Sequence, residues 1–160
     1  MLRLLSFLLA VILLSSCASS PIPKGYTGPK ARISDTLEKR SDSQVSIFMV
    51  SRVNGRMIEN TSTATARANH GMGMGFAFTK VISRDVPAQP LTLKIEGLTQ
   101  SASDLQALFA KQYRVSGDVL LNAKPDAVYV VKGVLEPARQ AVWVEDAASG
   151  KVVTQVIEKR

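Results

Sequence analysis

Four side chains in this sequence offer chemistry beyond packing and solvation: Cys17, His70, Met72 and Met74. Cys17 is the sole cysteine, so it cannot close a disulfide within the chain; its uses are an intermolecular bond or modification of a reactive thiol. His70 is the sole histidine, and with Met72 and Met74 it keeps an i, i+2, i+4 spacing. On an extended chain that spacing sends all three side chains to one face. Imidazole and thioether are soft ligands that suit Cu(I), so these residues form a candidate metal set. Methionine between glycines is also a common apolar filler in a pliable loop. Gly71, Gly73 and Gly75 alternate with the candidate ligands, but no Gly-Lys-Ser/Thr ending follows, so a phosphate-cradling loop is not expected.

Hydrolytic chemistry finds less support. A Ser–His–Asp site would have to use His70, and no G-x-S-x-G elbow is present. Glu145 and Asp146 are neighbours, which a strand would send to opposite faces. A glycosidase needs two carboxylates across one cleft, and only pairs distant in sequence, such as Asp104 and Asp118, would remain. The expectation is a protein with no catalytic residues and no cofactor, with an envelope hydrolase as the weakest alternative.

The setting of Cys17 is more informative than the thiol itself. Arg3 opens a short basic start, Leu4 to Leu14 form an apolar run broken by Ser6, and Ser15 and Ser16 precede the cysteine. That order is a secretory signal with cleavage expected between Ser16 and Cys17. The run is shorter than the ~20 apolar residues of a spanning helix. Leu14-Ser15-Ser16-Cys17 resembles the lipobox of bacterial lipoproteins, which implies that Cys17 becomes the acylated first residue. In Gram-negative lipoproteins Asp after that cysteine favours the inner membrane; Ala18 stands here, so the resemblance implies sorting to the outer membrane, facing the periplasm. Two or more acyl chains hold a domain stably at a bilayer.

Removing residues 1–16 leaves enough chain for one domain with its own core. The composition, 46% hydrophobic and 21% charged, is that of a globular protein. The net charge of +7 comes from scattered basic residues without a stripe of interleaved aromatics. Nucleic acid is therefore not an expected partner; an anionic wall polymer or headgroup surface is compatible with the excess.

Stepwise along the chain, residues 17–30 are rich in Ser, Pro and Gly and read as a flexible tether. From residue 31 to 160 the apolar residues mostly alternate with period two, the pattern of half-buried strands. Residues 44–50 form a strong strand signal, and Asn54-Gly55 predicts a type I′ hairpin with a return over Arg56 to Thr61. Further strands are predicted at 91–95, 113–121 and 128–135, the last central and ended by Pro137. Ala147 to Gly150 should close a hairpin between the Trp143 and Val153 strands. Ser103 caps one predicted helix whose stripe of Leu105, Leu108 and Phe109 should cover a sheet end. Tyr129 and Trp143 read as core anchors. The expected fold is mainly β, a single antiparallel sandwich of about seven strands with one short helix.

Gly25 to Thr36 (GYTGPKARISDT), the strand Tyr129-Val130-Val131-Lys132-Gly133 and the strand Trp143-Val144-Glu145-Asp146 resemble segments of small Gram-negative envelope lipoproteins of unassigned biochemistry. The resemblance implies an immunoglobulin- or transthyretin-like sandwich and carries no catalytic residues. The expected function is that of a non-enzymatic cell-envelope lipoprotein. Its expected partners are the membrane, through the lipid, and an envelope protein or anionic wall polymer.

Overall fold

Alternating apolar side chains assemble two facing five-stranded sheets in a computed structural model that describes residues 20–71 and 79–159, side chains at 104 and 106 excepted. The first sheet runs β10 (Ile157–Lys159), β9 (Gln140–Asp146), β8 (Val128–Leu135), β1 (Lys30–Ser34) and β5 (Ser83–Pro87). The second runs β2 (Thr36–Ser41), β3 (Gln44–Val53), β6 (Pro90–Ser101) and β7 (Arg114–Asn122), with β4 (Arg56–Met57) paired to β3. The expected mainly-β sandwich with a short helix at 104–109 is therefore the fold. All pairings are antiparallel except β1 with β8, which is parallel from Arg32↔Val128 to Ser34↔Val130. Two strands far apart in sequence have no hairpin to force opposite directions.

The core lies between the sheets. Ile33, Phe48, Val50, Val86, Leu93, Ile95, Val131, Val142 and Val144 are all at or below 1% exposure, and each holds an inward position of its strand. Phe48 fixes the spacing of the layers. A methyl on Gly133 of β8 would overlap the Phe48 ring and the Ala141 carbonyl, and one on Gly97 of β6 would lie 3.0 Å from the ring. The glycine of the Tyr-x-Val-x-Gly strand is thus the place where an aromatic from the facing sheet touches backbone. β8 is central, as its doubly apolar pattern predicts, and Tyr129 is buried with its hydroxyl accepting from the Lys124 amide at 3.0 Å.

Four expectations need correction. Trp143 is not a core anchor: Val142 and Val144 take the inward positions of β9, so the alternation sends Trp143 to the outer face. There it is half-buried and its indole donates to Glu145 at 2.7 Å. The return strand after Asn54-Gly55 lasts only for Arg56 and Met57, although both turn residues do adopt positive φ, 48° and 77°. The chain then forms a second helix, α1 (Thr61–Asn69), capped by Asn60, whose side chain accepts from the Thr63 amide at 3.1 Å. The helix α2 (Asp104–Phe109) exists, but Leu105, Leu108 and Phe109 are 58%, 78% and 85% exposed rather than laid on the sheet.

The hairpin after β9 closes at Ala147–Gly150 as predicted, with Gly150 at φ 67°. Ser149 donates through its hydroxyl and amide to Asp146, which draws that carboxyl below its ordinary value. The returning chain bridges at Glu145↔Val152, breaks where the Thr154 hydroxyl accepts from the Val144 amide, and resumes as β10.

Candidate functional site

The residues with the most concentrated polar chemistry lie where the chain crosses from one sheet to the other. β1 presents Ala31 and Ile33 to the core, and the same alternation sends Asp35 inward just before β2 begins. Its side chain is fully buried and accepts four hydrogen bonds. Oδ1 takes the Val50 amide at 3.1 Å, and Oδ2 takes the Thr61 amide at 2.9 Å, the Thr61 hydroxyl at 3.0 Å and Arg84 at 2.6 Å. Thr61 opens α1, so the carboxylate also meets the positive end of the helix dipole. The Thr61 hydroxyl in turn accepts from the Ile82 amide at 2.9 Å, and the Thr65 hydroxyl from the Lys80 amide at 3.2 Å. The cluster ties β1, β3, α1 and the start of β5 together.

Arg84 is 8% exposed and its Nε finds no acceptor, while one terminal nitrogen also reaches the Val50 carbonyl at 3.4 Å. Next to it lies an open groove of about 290 Å³, walled by Ser20, Pro21, Ile58, Glu59, Ile82 and Arg84. The alternation that places Arg84 and Val86 on one face of β5 is a signal the sequence carries for this buried cation. The corresponding signal for Asp35 is its register with Ala31 and Ile33. Neither was among the candidate residues read from sequence, because a charge on an apolar face stands out only once the strand boundaries are known.

A second groove of similar size, about 290 Å³, opens on the outer side of β1 between Lys30, Arg32, Asp85, Asp126 and Val128. Arg32 and Asp85 pair across it at 2.9 Å, and both are substantially exposed. Those two charges are therefore satisfied by each other in high dielectric, where such a pair contributes little.

Of the residues singled out in sequence, Ser16, Cys17, Met72 and Met74 lie outside the described residues. His70 is exposed at the carboxyl end of α1, its amide donating to Arg67. Among the described residues no three His, Cys, Asp or Glu side chains are placed to hold a metal ion. Glu145 is taken by Trp143 and Asp146 by Ser149, and Asp118 is exposed on β7, in register with Lys94. The segment Gly25 to Thr36 leads into β1 and contains it. The Tyr26 hydroxyl donates to the Pro29 carbonyl at 2.7 Å, a methyl on Gly28 would meet the Tyr26 ring, and the segment ends on Asp35 and on Thr36, whose hydroxyl donates to Val131 at 2.6 Å.

Among the described residues no helix is long and apolar enough to cross a membrane. No family model, curated protein or solved structure matches this chain.

Proposed function

We propose that this chain is a non-enzymatic cell-envelope lipoprotein, held at the outer membrane by an acylated Cys17, with its sandwich on the periplasmic side as a binding or structural module. The observation that carries the reading is Leu14-Ser15-Ser16-Cys17, in which the sole cysteine stands just after an apolar run and two small residues. The polar chemistry of the domain supports the non-enzymatic part. Among the described residues its most buried charged pair, Asp35 with Arg84, is engaged in holding strands and α1 together, although Arg84 also walls the groove. The partner we favour is another envelope component, a protein or an anionic wall polymer, in keeping with the net charge of +7. An anchored domain has a high effective concentration at the surface, so a weak contact suffices. The immunoglobulin- or transthyretin-like assignment belongs to the same proposal.

Two measurements test the anchor. The mass of the mature protein should exceed that of the chain from residue 17 onward by two or three acyl chains. Cys17→Ala should move the protein from the membrane fraction to the soluble one or leave it unprocessed. Membrane association undiminished by that change would refute the reading.

A further inference from the structure

The edge of a sheet is a row of backbone groups still able to bond another strand, and most edges of this sandwich are blunted. β10 has three residues and β4 two. β5 has five and ends on Pro87, which supplies no ladder donor. β2 carries a register shift between Lys39 and Ser41, with the charges of Glu38, Lys39 and Arg40 beside it. β7 has none of these devices. It has nine residues, no proline and an unbroken register with β6 from Pro90↔Asn122 to Leu98↔Arg114. Among the described residues no strand pairs with its other edge.

The side chains of β7 fit one occupant of that edge, a second β7. Alternation leaves Arg114, Ser116, Asp118, Leu120 and Asn122 exposed on the outer face, and Val115, Val119 and Leu121 buried on the inner one. Two copies joined antiparallel about an axis normal to the sheet keep outer face beside outer face. Charge then selects the register, because directly opposed like charges destabilise a pair. An axis through Asp118 would oppose two carboxylates, and one through Gly117 would set Arg114 against Leu120. An axis through Ser116 sets each Arg114 opposite Asp118 of the second copy. Arg114 holds Glu96 at 2.6 Å yet is 68% exposed, and Asp118 is exposed in register with Lys94. The pairing thus lays Lys94 and Asp118 beside Arg114 and Glu96 of the second copy, in alternating sign.

We propose that β7 is the edge through which two copies of this chain pair, antiparallel and centred on Ser116, so that one continuous sheet runs through both. This goes beyond the anchored binding module and does not depend on the acylation of Cys17.

The test is oxidative cross-linking of the full-length protein. Ser116→Cys places two thiols across a pair whose Cβ atoms lie about 4.5–5.5 Å apart, a gap that local motion closes to disulfide distance. Leu120→Cys, at another exposed position, stands roughly 27 Å from its counterpart in that register. The parent protein, with Cys17 as its single cysteine, sets the background. Ser116→Cys should give at least about five-fold more disulfide dimer than either of the others. Adding Asp118→Lys should return the yield toward background, with an unchanged unfolding midpoint showing that the sandwich is intact. Equal yields from the variants at 116 and 120, or a dimer at 116 that is indifferent to Asp118→Lys, overturn the pairing.

Discussion

A carboxylate and a guanidinium that are both out of water dominate the energetics of single residues in this protein. Asp35 and Arg84 attract each other strongly only because neither is solvated, and each was costly to bury. The pair is better seen as a constraint on which strands may meet than as a source of net stability. Removing one partner is a different matter, since it strands the other charge in the interior. Asp35→Asn should cost about 3–5 kcal/mol in urea unfolding, a large share of the 5–15 kcal/mol of an ordinary domain. Adding Arg84→Met should recover part of that loss. A cost below about 1 kcal/mol for the single change would place the pair among ordinary surface bridges.

At the scale of elements, α2 behaves unlike its pattern. Leu105, Leu108 and Phe109 repeat at helical spacing, yet all three are exposed to solvent, and the helix meets the sheet along β6. Apolar periodicity reports that a helix has a face; it does not report that a sheet has room for it. The edges of β6 are already occupied by β3 and β7. Phe109→Ser should therefore change unfolding free energy by no more than about 0.5 kcal/mol. Phe48→Ala, which empties the space between Gly97 and Gly133, should cost about 3–5 kcal/mol. Comparable losses at the two phenylalanines would show that α2 is packed after all. The other helix was missed for the opposite reason. α1 is rich in Thr, buries only Thr61, Ala64 and Thr65, and has no apolar stripe. Its one local signal is Asn60 followed by Thr63, a reciprocal cap.

For the whole molecule, acid should act through the outer face of the second sheet. Burial raises the pKa of Glu96, but hydrogen bonds from Ser51 and Arg114 and the charges of Arg114 and Lys94 outweigh it, so the value lies below its ordinary 4.5. A carboxyl with a depressed folded pKa contributes its full stabilisation above the unfolded value and loses it as pH falls through the folded one. The window thus opens near pH 4.5 and extends downward. The stability difference between the protein and Glu96→Gln should shrink as pH is lowered from about 6 to about 3. A difference independent of pH would remove Glu96 from the acid response.

The sequence by itself determined strands at 44–50, 91–95, 113–121 and 128–135, which fall on β3, β6, β7 and β8, and the turns at Asn54-Gly55 and Ala147–Gly150. Period-two burial and positive-φ residues are properties of a few adjacent positions, and they survive any arrangement of the rest. The reading of Cys17 also comes from adjacent residues alone. Only the tertiary structure decided that β1 lies parallel to β8, that Trp143 faces outward and that Asp35 meets Arg84, 49 residues away. It likewise decided that residues 20–29 turn back along β5 rather than reach outward. Each of those outcomes depends on which strands become neighbours and which face is left to fill. Such choices are made by the summed burial of residues distant in the chain, and no local period records them.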